Sequence, residues 1–142
     1  MKLILMLLLK HFVMKYNDIK FLYAIRGNRG VELNEENALK IIEWNDKLKL
    51  SEIYATLSRD TVTWKDEVSD EERDIFLKIM KENNIKVHLF DTLKEAVETV
   101  IDIAQKDDVV MFAGCQGMDK AGRIGLNYIL EKNMKSPILV MR

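Results

Sequence analysis

Short apolar runs alternate along this chain with longer amphipathic segments, and that alternation restricts the fold more than any other feature. "KFLYAIR" (Lys20–Arg26), "EIYATL" (Glu52–Leu57), "KVHLF" (Lys86–Phe90), "DVVMFA" (Asp108–Ala113) and "PILVM" (Pro137–Met141) read as strands. Strands separated by helices must be joined by crossovers, which run them parallel and bury them on both faces. The predicted class is α/β: a Rossmann-like three-layer sandwich, with a mostly parallel sheet of about five strands and helices on both faces.

The helices announce themselves by spacing. From Asn34, "NEENALKIIEWNDKL" places Ala38, Ile41, Ile42 and Leu48 on one face, with Asn34 as the expected N-cap and Glu35 and Glu36 in the first turn. Ser69 and Glu72 have capping-box spacing ahead of a helix whose inner face holds Ile75, Phe76, Ile79 and Met80. Thr92 and Glu95 repeat the pattern before Leu93, Ala96, Val97, Val100, Ile101 and Ala104. "RIGLNYILEKN" (Arg123–Asn133) is another helix. The opening "MKLILMLLLKHFVMKY" reads as a buried helix. Lys10, His11 and Lys15 interrupt it well short of a membrane span, and no small-residue cleavage site follows. No repeat, low-complexity stretch or linker divides the chain, so residues 1–142 are expected to form a single domain.

Composition excludes several classes of function. With 48% hydrophobic and 32% charged residues the chain is globular rather than disordered. A formal net charge of −1 gives no general basic field, which argues against nucleic acid as a partner, as the interrupted N-terminal run argues against a membrane. The single cysteine, Cys115, precludes an internal disulfide framework and suits a reducing, cytoplasmic setting. It has no evident histidine partner, since His11 and His88 fall in a helix and a strand, so it reads as a structural thiol. No Cys/His spacing suggests a metal site.

All six glycines lie in two clusters, Gly27–Gly30 and Gly114–Gly125, each following a strand and leading towards a helix. In an open α/β sheet such loops gather at the carboxyl ends of the strands, where ligands bind. "RGNRG" (Arg26, Gly27, Asn28, Arg29, Gly30) therefore reads either as an anion site of backbone N–H groups and guanidinium groups, or as an ordinary βα turn. "SRD" (Ser58, Arg59, Asp60) offers a carboxylate clamp in Arg59 and an acceptor for an amine or metal-bound water in Asp60. The alternative is a capped loop with a local ion pair. Trp64 is a lid over the pocket or surface packing. The second glycine cluster presents Gly114, Gln116, Gly117, Asp119 and Lys120.

Several segments in order, "FLYAIRGNRG" followed by "NEENALKI", then "EIYATLSRDTVTWKDE", then "LFDTLKEAVETVIDIAQKDDVVMFAGCQGMD", resemble the C-terminal domain of the Mur ligases. These ATP-dependent enzymes join an amine to a carboxylate, and the pattern is most like archaeal members, including the methanogen synthase of the nickel-tetrapyrrole coenzyme. The resemblance implies chemistry through an acyl phosphate. A separate central domain supplies the P-loop and magnesium site, and the C-terminal domain supplies amine-substrate contacts and part of the nucleotide pocket. It places Arg29 in the first glycine turn, Arg59 on the incoming substrate, and Gly114, Gln116, Gly117 and Asp119 along the second turn. The implied partners are a small-molecule substrate and a P-loop ligase domain in trans. ATP and Mg²⁺ belong to the complete ligase, with no cofactor expected for this chain alone.

Two departures from the family pattern bear on function. The family usually follows Ala-Gly with Lys-Gly-His-Glu, whereas Ala113 and Gly114 here lead to Cys115, Gln116, Gly117 and Met118. The usual amino-acid contacts therefore do not carry across. The family domain also opens with a strand that this chain is expected to lack, and a sheet missing an inner strand invites homodimerisation or strand donation. No GxxxxGK[ST] occurs, so the chain is expected not to complete ATP-driven ligation alone. The alternatives are a stand-alone module for a nucleotide or small anion, and an independent enzyme using Asp60 or Asp119 as base.

Overall fold

The computed structural model describes residues 17–135. Strands β1 (Ile19–Ala24), β2 (Glu52–Thr56), β3 (Lys86–Phe90) and β4 (Val109–Ala113) alternate with helices α1 (Val31–Leu48), α2 (Asp70–Glu82), α3 (Leu93–Ile103) and α4 (Ala121–Lys135). The strands form one sheet in the order β3-β2-β1-β4, and every pairing is parallel. The described sheet thus has four strands where about five were expected. The run Pro137–Met141 and the N-terminal segment Met1–Tyr16 lie outside the described residues.

Each strand serves two cores. On β1, Ile19, Phe21 and Tyr23 point to one face, where they meet Ala38 and Ile41 of α1 and Phe76, Ile79 and Met80 of α2. Leu22 and Ala24 point the other way, onto Leu93, Ala96, Val97 and Val100 of α3 and Ala121 of α4. The period-two alternation of a strand sends neighbouring apolar residues to opposite sides, so a run with no polar break becomes the centre of the sheet. Helices accordingly cover both faces.

Local signals set the helix ends. Ser69 and Glu72 form the reciprocal capping box, with Glu72 N–H donating to Ser69 Oγ at 3.2 Å and Ser69 N–H to Glu72 Oε2 at 2.9 Å. At Thr92 only half of the expected box forms: its Oγ1 accepts the Glu95 N–H at 3.2 Å, without the reciprocal bond seen at Ser69. Asn34 departs from expectation. Helix α1 begins three residues earlier, at Val31, with Gly30 as its N-cap at φ 95°. Asn34 is instead fully buried inside the helix, where its Oδ1 accepts the Arg26 N–H at 3.2 Å and its Nδ2 donates to the carbonyls of Arg26 (2.8 Å) and Gly30 (3.1 Å). One amide side chain thereby fixes the chain as it leaves β1 and satisfies backbone groups that would otherwise be buried unpaired.

Candidate functional site at the sheet crossing point

Strands β1 and β4 are adjacent and parallel, with Tyr23 opposite Ala113. The helix after β1 packs on one face of the sheet and the helix after β4 on the other. The chain diverges there, which leaves a crevice between the two following loops, the usual ligand position in such sheets.

Close contacts bring the three predicted loops together. Gly114 has φ 142°, and a Cβ there would lie 3.0 Å from Ala24 Cβ. A Cβ on Gly117 would lie equally near Ala24 and 3.3 Å from Ser58 Oγ. Ser58, fully buried, donates its Oγ–H to the Gly117 carbonyl at 2.5 Å, tying the β2 loop to the β4 loop. Arg26 reaches across from the β1 loop and donates from its guanidinium to Cys115 Sγ at 2.8 Å. Arg26, Gly27, Gln116 and Gly117 line a single small cleft together with Asp66.

Several candidate groups are already engaged by the protein itself. The N–H groups of Asn28, Arg29 and Gly30 all donate to the Glu72 carboxylate, at 3.1, 2.8 and 2.8 Å. With Ser69 N–H they give Glu72 four backbone donors at a side chain only 3% exposed. Burial pushes the Glu72 carboxyl up, but the N–H donors of Ser69, Arg29, Gly30 and Asn28 outweigh it and hold the pKa below the ordinary value of 4.5. The anion cradle that "RGNRG" suggested exists, and its anion is a carboxylate from α2. The Arg29 guanidinium pairs with Asp66 at 3.2 Å, and Asn28 Nδ2 donates to the Lys65 carbonyl at 3.0 Å. Gly27 is pressed against the short turn Trp64–Asp66, where an added Cβ would lie 2.0 Å from the Asp66 carbonyl oxygen.

Asp60 accepts the N–H groups of Leu93 (2.7 Å) and Lys94 (3.1 Å), so it sits on the open N-terminus of α3. Arg59 donates its backbone N–H to the Asp91 carbonyl at 2.9 Å, and its guanidinium lies 3.9 Å from the exposed Asp91 carboxylate. Trp64 is 76% exposed, with Lys65 Nζ 5.7 Å from its ring centre. Cys115, Gln116, Asp119 and Lys120 face solvent beside the crevice. His88 lies elsewhere, bonded at 2.9 Å to Glu52, the first residue of β2, and stacked on Tyr54.

Most of the donors and cations around the crevice are therefore already paired within the protein. Among the described residues no group of three His, Cys, Asp or Glu side chains is placed to hold a metal ion. Nor does the first glycine turn fit a nucleotide phosphate, because its amides are taken by Glu72. No described helix is long and apolar enough to cross a membrane.

Beside the crevice lies a cavity of about 440 Å³ that sequence reading missed. It runs between α1 and β4 and is lined by Leu33, Asn37, Lys40, Ile41 and Trp44 on the helix, with Tyr23, Arg26 and Cys115 opposite. The spacing of Leu33, Asn37, Ile41 and Trp44 marks one helical face, but with Asn34 taken as the cap Leu33 fell outside the helix. Burial raises the Tyr23 hydroxyl pKa to about 12, against an opposing hydrogen bond with Asn37, so it stays protonated at neutral pH. No protein-family model matches this chain, and no curated protein matches it.

Proposed function

We propose that this chain is a substrate-binding domain of the Mur-ligase C-terminal type, with a Rossmann-like three-layer fold, and that it positions a small molecule for ATP-dependent carboxylate–amine ligation. The observation that carries this reading is the convergence of the β1, β2 and β4 loops through Arg26–Cys115 and Ser58–Gly117 at the crossing point of the sheet. Loops held this closely orient a ligand without strain at the moment of reaction, and orientation and charge stabilisation supply most of what phosphoryl chemistry needs from a protein. The sequence holds no P-loop, and the first glycine turn is filled by Glu72. Nucleotide phosphates and Mg²⁺ are therefore the work of another domain, in trans or on a longer chain. Among the groups singled out for catalysis, Asp60 is committed to the start of α3, which argues against an independent acid–base enzyme.

ATP hydrolysis tests this reading. The pure chain is expected to show none with amino acids or organic acids present, and to stimulate turnover when mixed with a P-loop ligase domain. Hydrolysis by the pure chain would overturn it. A second reading, a stand-alone small-anion module, is favoured by one observation. Arg26 contacts a thiol rather than a carboxylate, and its Nε is buried without a partner. Calorimetric binding of a small anion without partner-dependent turnover selects that reading.

A further inference from the structure

We infer that the cavity between α1 and β4 is a binding site for an organic acid with a flat apolar body, separate in its chemistry from ligation. Three observations carry the inference. Its volume, about 440 Å³, lies within the range of small-molecule sites and exceeds what a lone phosphate or acetate fills. Its walls are largely apolar, with Leu33, Ile41 and Trp44 along one helical face and Tyr23 across from them. Its charged lining is of one sign: Arg26 and Lys40 line it, and no acidic side chain does among the described residues.

Two donors in the cavity wall lack a protein partner; neither opens onto the cavity as it stands, and each would meet an acceptor there by a turn of its side chain. Arg26 Nε and Trp44 Nε1 are the buried side-chain polar atoms without a hydrogen-bond partner among the described residues, and both residues line this one cavity. A buried N–H left unpaired costs about 1–3 kcal/mol, so its presence calls for a partner. Indole donates only, and guanidinium donates only, which requires an acceptor such as carboxylate oxygen. Neither a cation nor a hydrocarbon satisfies these groups. An apolar ring system occupying the cavity beside Leu33 and Ile41 carries its carboxylate to the Arg26 end, next to Cys115 and the mouth of the crevice.

The indole N–H groups report on this directly. The chain has two tryptophans, Trp44 and Trp64, so its ¹⁵N spectrum holds two indole signals, assigned with Trp64→Phe. Titrating the full chain with naphthalene-2-carboxylate is expected to move the Trp44 signal saturably and to leave the exposed Trp64 signal in place. Acetate and 2-naphthylmethylammonium, which keep only the acid or only the ring, are expected to bind at least about tenfold more weakly. Arg26→Met should weaken the carboxylate probe about tenfold. Lys40→Glu, at an exposed position on the cavity rim, should weaken it by about two- to fivefold. A Trp44 signal unmoved at millimolar naphthalene-2-carboxylate overturns the inference. So does equal affinity for the ammonium analogue, or wild-type affinity in Lys40→Glu with Arg26→Met also unaffected. None of these measurements requires ATP or a partner domain, so failure of the ligase reading leaves the outcome distinguishable.

Discussion

Glu72, on the first turn of α2, places its carboxylate in the turn that follows β1, where Gly30 donates its N–H at 2.8 Å. The same carboxylate closes the capping box of its own helix through Ser69. One side chain thus ends a loop and starts a helix in separate parts of the sequence. Removing its charge should be felt in both places. Glu72→Gln is expected to lower stability by about 2 kcal/mol, measured as a shift of the urea midpoint at neutral pH, because an amide oxygen cannot replace two carboxylate oxygens shared among four donors.

The pH dependence has a definite sign. The folded pKa of Glu72 is depressed below 4.5, so its contribution is present in full above that value and is lost as pH falls through the folded pKa. Urea midpoints measured from pH 7 down to pH 3 should fall most steeply below about 4.5, and Glu72→Gln should flatten that part of the curve. A wild-type profile with the same slope as the variant would show that the carboxylate is not held as described.

Vacating the turn should make it available to an external anion. In Glu72→Ala the N–H groups of Asn28, Arg29 and Gly30 lose their internal partner. Inorganic phosphate is then expected to raise the melting temperature of the variant and to leave the wild type unchanged. Thermal scans with and without phosphate decide it.

The glycines should rank by the space beside them. Gly27→Ala forces a Cβ to within 2.0 Å of a backbone oxygen and should cost about 3 kcal/mol or more. Gly117→Ala meets Ala24 and Ser58 side chains at 3.0 and 3.3 Å and should cost about 1 kcal/mol. Gly122→Ala, in α4 with nothing within 4 Å, should instead stabilise by up to about 0.5 kcal/mol. Chemical denaturation of the three variants checks the order.

Asp60 separates a structural from a catalytic role. Asp60→Ala removes the acceptor of the Leu93 and Lys94 N–H groups and should cost about 1 kcal/mol in urea denaturation, whereas Asp60→Asn should retain most of it.

Much of the architecture was legible because its signals are local. Continuous apolar runs gave the four described strands, and the Ser69 and Thr92 patterns gave the starts of α2 and α3. The glycine clusters located the loops that meet at the crevice. The partners of those loops were not legible, because they come from distant sequence. Glu72 lies forty-four residues from Asn28, and Asp60 thirty-three from Leu93. Asn34 misled for a different reason. Asparagine favours helix starts through bonds to its own backbone neighbourhood, and here the same capacity is spent on Arg26 from inside the helix. The cavity is not legible in the sequence because part of its far wall, Phe112–Cys115, comes from the strand most remote in sequence from α1 and the loop after it.

The backing of Gly117 by both Ala24 and Ser58 has an evolutionary corollary. Backbone in that stretch is too tightly nested to shift, so under the proposed binding role changes of ligand preference are expected from the outward-facing Cys115, Gln116 and Asp119. The proposed role thus puts a replaceable fringe on a fixed frame, and libraries randomised at those positions leave the frame beneath them intact.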